Sequence, residues 1–231
     1  MTFFMSRHYE NLTRLYLRLK GFVVTNLIVH SEEQGAILTE LDIIGFRMPF
    51  HTQDDRQVVI KDELECSSKM IEVIIADVKG TGNLKSVKFN NGLRKNEEAI
   101  HKIIGWLGCY ENIVPELVKK FRDCFNLHKW NELNGFAHFS EKLNVGLFNF
   151  KFTFFCPNIE PWNGKGFKYI AGDEMMNFIW ECLNTNNKIE TCSRIYDFTG
   201  WNELESIIRF FKDADTKLDL EDFNNEFLKT A

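Results

Sequence analysis

The run Ile71–Gly80, IEVIIADVKG, is continuous apolar chain until it ends in Asp77-x-Lys79 and breaks at Gly80. Its β-branched residues suit a strand buried on both faces, so the rest of the chain must supply layers above and below a sheet. Period-two alternation places Val73, Ile75, Asp77 and Lys79 on one face, with the polar pair emerging at the C-terminal end of the strand. Thirty-five positions before Asp77 lies Asp42, in the middle of a second apolar run, ILTELDIIGFR (Ile37–Arg47). Alternation there groups Leu38, Glu40, Asp42 and Ile44. A carboxylate inside such a strand is expensive to bury unless it is paired or holds a metal.

Two carboxylates and a lysine on neighbouring strands suit hydrolysis of a phosphodiester. Such an ester resists attack because its charge repels nucleophiles, and a hard divalent cation offsets that charge. Mg²⁺ takes one or two carboxylates plus carbonyl and water oxygens. Asp42 and Asp77 provide the carboxylates, and the Val78 carbonyl between Asp77 and Lys79 provides a further oxygen. Lys79 can position or help deprotonate the attacking water, or stabilise charge on the phosphate. The bland alternative for Asp77 and Lys79 is an ion pair at a strand end.

The elements around these runs read as an α/β chain. Residues 6–20 form a helix with Leu12, Leu15, Tyr16 and Leu19 as its buried stripe. Glu10 lies off that stripe with Arg14 one turn on. It is either half of a solvated i,i+4 pair or an outer metal ligand. FVVTNLIVH (Phe22–His30) is a strand, and a polar segment at about 48–70 separates the two aspartate-bearing runs, with VVI (58–60) as a short hairpin arm. Gly80 and Gly82 read as a tight turn needing positive φ. Residues 94–108 are a helix with Ala99, Ile100, Ile103, Ile104 and Leu107 inward. A helix over 112–130 and a short helix over 131–143 follow. GLFNFKFTFFC (Gly146–Cys156) is a strand, Lys168–Ala171 a short one, Gly172–Asn184 a helix, and the chain from Thr199 helical and acidic.

Charge is unevenly placed. The net is −5, and residues 196–231 hold nine acidic and four basic residues, which leaves the remainder neutral. Between Lys79 and Lys95 there are five basic residues and no acidic one. Lys85, Lys88, Arg94 and Lys95 therefore form either a solvated loop or a phosphate-backbone track beside Asp77 and Lys79. The acidic tail lacks the glycine and spacing of a calcium loop. Six cysteines with no CxxC pair read as free thiols, no apolar run reaches membrane-spanning length, and the N-terminus lacks a cleavage pattern. The expected location is cytoplasmic.

The order helix, strand, strand with Asp, strand ending in acid-x-Lys, helix, strand resembles the PD-(D/E)XK nuclease superfamily, across residues 6–156 and on to 184. The resemblance implies a restriction-endonuclease-like mixed central sheet flanked by helices. It would occupy residues 1–184, with an acidic helical extension at 185–231. It implies that Asp42 and Asp77 bind the divalent metal, that Lys79 assists the water, and that Glu10 corresponds to the acid many members carry on the first helix. Leu41 stands where Pro is frequent, and the long Asp42–Asp77 gap implies an insertion. The expected activity is a Mg²⁺-dependent nuclease, with Mn²⁺ as a substitute. DNA is favoured over RNA and an endonuclease over an exonuclease, in defence or repair, with room for a homodimer or a protein partner. The alternative is a non-catalytic domain of the same fold that binds nucleic acid or a protein.

Overall fold

The computed structural model describes residues 2–33, 35–52, 58, 63–80, 83–126, 133–184 and 199–228. In chain order these form α1 (Thr2–Leu19), β1 (Val23–His30), β2 (Ile37–Arg47), β3 (Ile71–Val78), α2 (Asn91–Lys95), α3 (Glu97–Leu107), α4 (Pro115–Phe125), β4 (Ala137–Leu143), β5 (Gly146–Cys156), β6 (Ile170–Ala171), α5 (Gly172–Leu183), α6 (Glu205–Lys212) and α7 (Leu220–Phe227). Two 3₁₀ turns sit at Leu84–Ser86 and Thr199–Leu204. The Cys192 position, the rest of the VVI arm beyond Val58, Gly82 and residues 185–198 lie outside the described residues.

The strands form one mixed sheet in the order β1-β2-β3-β5-β4, with β6 beside the far end of β5. β1, β2 and β3 are successively antiparallel, β3 and β5 are parallel, and β4 is antiparallel to β5. β3 is the inner strand that its apolar run implies: every residue from Glu72 to Val78 is buried. One face of the sheet packs on α2, α3 and α4 through Val73, Ile75 and the row Phe148, Phe150, Phe152 and Phe154. The other packs on α1, α5, α6 and α7 through Ile74, Ala76, Val78 and Phe155. The polar members of β5 point to this second face and are buried there. Lys151 ion-pairs with Glu72 at 3.1 Å and donates to the carbonyls of Leu64 and Glu65. Asn149 donates to Glu72, which also accepts from the Ser67 amide. This network clamps the segment after residue 62 onto the sheet.

The short helix expected over 131–143 is absent from the described part of that stretch, residues 133–143. Ala137–Leu143 is β4, and its burial alternates residue by residue. AHFSEKL carries a period of two, and Gly135 at φ 136° is incompatible with a helical turn leading into it. The Asn144–Val145 turn closes a hairpin, since Leu143 pairs with Gly146. The single helix expected over 94–108 is two. Asn90 caps α2 by accepting from the Leu93 amide, and Asn96, with extended backbone, caps α3 by accepting from the Ala99 amide. The inward stripe of α3 is the expected one.

The acidic C-terminal region is not an appendage. Leu204, Ile207, Ile208, Phe211 and Phe223 are buried in the same cluster as Leu12, Leu15 and Tyr16 of α1. They cover the back of α1, which explains why Tyr9, Thr13 and Leu17 are as buried as its amphipathic stripe. Phe223→Ala should therefore lower global stability by about 3–5 kcal/mol, the range for emptying a buried aromatic site. Urea unfolding of the two proteins measures this, and an unchanged midpoint would show that the tail lies outside the cooperative unit.

Candidate active site

Asp42 and Asp77 meet at the point where β2 and β3 part. The ladder runs Arg47↔Glu72 to Ile43↔Ala76, so Asp42 is the next residue opposite Asp77. Asp42 does not follow the alternation expected for β2. Between Thr25↔Ile44 and Leu27↔Leu41 the β1–β2 register gives β2 one extra residue, a β-bulge at Asp42–Ile43. Leu41 consequently shares the α2–α4 face with Ile44. The bulge frees the Asp42 side chain to reach across, and its Oδ2 accepts from the Val78 N–H at 2.8 Å. Val78, whose carbonyl is the candidate ligand, is the last residue of β3.

Asp77 is 2% exposed. Its Oδ2 accepts from Lys79 Nζ at 2.8 Å. Its Oδ1 is buried and, among the described residues, has no hydrogen-bond partner. Burial pushes the Asp77 pKa up, Lys79 opposes that shift most strongly, and the amides of Asp42 and Asn90 also favour the charged form. Asp42 is raised from 3.8 to about 7. Burial contributes most, then the Asp77 charge, with Glu10 adding to the rise. The Val78 amide and Lys79 work against it. Glu10 sits 3.9 Å from Arg14, the i,i+4 pair that the sequence offers, and its charge adds to the rise at Asp42.

The basic segment is tied to this site by a residue the sequence reading passed over. The Asn90 side chain accepts from Thr39 Oγ1 at 2.7 Å and donates to the Glu40 carbonyl at 2.9 Å, which fastens α2 across β2. Gly92 allows the close approach, since a Cβ there would stand 2.5 Å from the Leu38 carbonyl oxygen. Lys85, Lys88 and Lys95 are exposed. Arg94 differs: its guanidinium donates to the Phe89 carbonyl and to Asn91 and so holds the loop.

Gly80 is required for a different reason from the positive φ expected of it. Its φ is not positive, and a Cβ there would lie 3.2 Å from the Tyr9 ring. The Gly80 carbonyl accepts from Asn158 Nδ2 at 2.8 Å. Asn158 Nδ2 also donates to the Tyr9 hydroxyl, which in turn donates to Asn224 Oδ1 of α7 at 2.8 Å. Helix α1, which carries Glu10, is thus bolted to the turn after Lys79 and to the C-terminal helix. Tyr9, Asn158 and Asn224 carried no recognisable motif, because their shared role arises only from long-range packing. Burial raises the thiols of Cys109, Cys124 and Cys156 to between about 11 and about 12, with Lys79 opposing the rise at Cys156.

The donor set suits a hard divalent cation. Two carboxylates occupy opposite register positions, one has a buried oxygen with no partner among the described residues, and the Asp77 charge raises the Asp42 pKa, which a cation would relieve. Among the described residues no group of three or more His, Cys, Asp or Glu side chains converges on a metal position, so any remaining ligands would be backbone oxygen and water. Among the described residues no helix is long and apolar enough to cross a membrane. Comparison with family models, with curated proteins and with solved structures found no match for this chain.

The Asp42 shift has a definite consequence for stability. Below about pH 4 both folded and unfolded chains carry its proton. Between 3.8 and about 7 the folded chain keeps the proton and the unfolded chain loses it. The resulting stabilisation is lost as pH rises through about 7. In EDTA the wild-type Tm should decline as pH rises from about 4 to about 7 and level off above, Asp42→Asn should flatten that decline, and Mg²⁺ should oppose it. A wild-type slope identical to that of Asp42→Asn would refute a raised Asp42 pKa in the folded chain.

Proposed function

We propose that this chain is a metal-dependent nuclease of the restriction-endonuclease-like type, acting on DNA in preference to RNA, as an endonuclease, in defence or repair. The observation that carries the reading is the buried Asp77 carboxylate opposite Asp42 at the mouth of β3: Lys79 donates to one of its oxygens, and the other has no hydrogen-bond partner among the described residues. Asp42 and Asp77 would hold Mg²⁺ or Mn²⁺, with the Val78 carbonyl as a further candidate ligand and Glu10 acting on the ion only through water. A bound divalent cation supplies positive charge against the phosphate and acidifies water.

The remaining steps belong to the chain. Deprotonation of Asp42 completes the dianionic site, so cation affinity rises with pH through about 7. Lys79 donates to Asp77 Oδ2 with a quarter of its side chain exposed. It can therefore turn its ammonium toward an entering phosphate while β3 holds its backbone, whose amide donates to the Phe155 carbonyl at 2.8 Å. Lys85, Lys88 and Lys95, held near the site by Asn90, meet the flanking phosphates as a positioning track.

A second reading is favoured by the same ion pair: a Lys79 closed on Asp77 could neutralise a relic site in a domain that only binds nucleic acid or a protein. Plasmid, linear and single-stranded DNA and RNA, each incubated with Mg²⁺, Mn²⁺ or EDTA, separate the two. The nuclease reading expects metal-dependent cleavage that rises to a plateau above about pH 7. It also expects losses of about 10²–10³ or more in kcat for Asp42→Ala, Asp77→Ala and Lys79→Ala with unchanged circular dichroism. Equal cleavage by wild type and all three variants would sink it, and salt-dependent binding without turnover would leave the second reading.

A further inference from the structure

Beside the candidate site lies a cleft of about 540 Å³ between the Leu84–Ser86 turn and the loop leading to β6. This falls in the range of small-molecule sites, about 300–1,000 Å³. Leu84 forms one wall and Trp162 and Tyr169 are among the residues opposite, with Phe167 in the interior. Asn134 and Lys165 add polar groups. The aromatic members are already satisfied at their polar ends. Trp162 Nε1 donates to the Lys165 carbonyl at 2.9 Å, and the Tyr169 hydroxyl donates to the Glu160 carbonyl at 2.8 Å. The Lys168 ammonium lies 5.3 Å from the centroid of the half-buried Trp162 ring, and Asn134 Oδ1 already accepts from the Gly166 amide, which leaves the rest of the Trp162 ring, the Asn134 amide nitrogen and Lys165 to meet a ligand.

The cleft is coupled to the site by the sheet. Asp77 pairs with Phe154 across β3 and β5. The Phe154 ring lies 5.5 Å from Phe167 and 4.4 Å from Phe89, the residue that follows Lys88. Asp77 is thus linked to the cleft through one strand spacing, about 4.8 Å, and the Phe154–Phe167 ring contact. The basic turn that forms one wall also carries Lys85, so a strand whose phosphates follow Lys85 and Lys88 would bring its bases over the aromatic wall.

We infer that this cleft is a nucleobase subsite: it takes one unpaired base of a single-stranded or locally opened nucleic acid, stacked on Trp162, while Lys85 and Lys88 hold the adjoining phosphates. This rests on the nuclease reading for its orientation and adds a substrate class to it, namely nucleic acid with an unstacked base close to the phosphate under attack. A flat aromatic wall has no use for an intact duplex, whose bases are already stacked, but is sequence-tolerant toward any exposed base.

The test is binding of a short labelled single-stranded oligonucleotide to the full chain in EDTA, with duplex of the same sequence and a nucleoside 5′-monophosphate as separate arms. Wild type should prefer the single strand. Trp162→Ala should weaken that binding by about 10-fold or more, and Trp162→Phe should restore most of it. The salt dependence should be unchanged in Trp162→Ala and shallower in Lys85→Ala and Lys88→Ala. Leu84→Trp, which fills the cleft without removing its wall, should weaken binding as Trp162→Ala does, with Tm confirming that both variants fold. Single-strand affinity of both variants equal to wild type would overturn the inference. So would a monophosphate that binds as tightly as the oligonucleotide, since the cleft would then serve a free nucleotide. Mg²⁺-dependent cleavage with a Trp162-independent affinity leaves the nuclease reading standing and this inference refuted. Trp162-dependent binding without cleavage does the reverse.

Discussion

Two carboxylates are held together at the end of an otherwise apolar strand, and much of the architecture exists to keep them there. Asp77 is buried because β3 is the inner strand of a sheet covered on both faces, and β3 is inner because its residues are apolar on both faces. Asp42 reaches it because β2 carries a bulge at that point. Neither position is comfortable. Burial raises both pKa values, the Asp77 charge adds to the rise at Asp42, and one Asp77 oxygen has no hydrogen bond among the described residues. Strain of this kind survives where surrounding packing over-determines the geometry. Here the packing comes from Lys79 on one side, the Val78 amide on the other, and α1 pinned behind by Tyr9.

That pin gives the C-terminal helices a structural reason to exist. The hydroxyl of Tyr9 joins Asn158, beyond the end of β5, to Asn224 of α7, and Asn158 holds the Gly80 carbonyl just after Lys79. The acidic residues of α7 face outward, and Phe223 and its neighbours fill the space behind α1. The second polar network, Glu72 with Lys151 and Asn149, lies at the opposite end of β3, where it is fully paired. The contrast is informative: one buried charge cluster is satisfied and anchors a segment, whereas the other is left partly unsatisfied at a strand mouth. A buried pair that is complete serves as a fastening; one that is incomplete has room for a ligand.

The strongest periodic signals were readable in the chain: the ends of β2 and β5 match their runs, and the inward stripe of α3 is the expected one. β4 was misread because FAHFSEKLN offers too few apolar residues to separate a period of two from one of 3.6, and the decisive partner, β5, lies across a turn. The break between α2 and α3 was missed because Asn96 in mid-pattern looks like a tolerated polar residue until its cap to Ala99 is seen. The role of Gly80 was misjudged because a glycine before a close-packed ring and a glycine with positive φ look alike in one dimension.

By itself the amino-acid sequence determined that this is an α/β chain around an inner strand ending in Asp77 and Lys79, with a second aspartate on another strand. Those facts follow from local apolar patterning, which has no need of distant residues. Only the tertiary structure decided that Asp42 and Asp77 confront one another, that Arg94 is spent on its own loop, and that a region some 200 residues from α1 secures it. Each depends on a contact between segments far apart in the chain, and no local pattern encodes the bulge, the cap or the hydroxyl bridge through which such contacts are made.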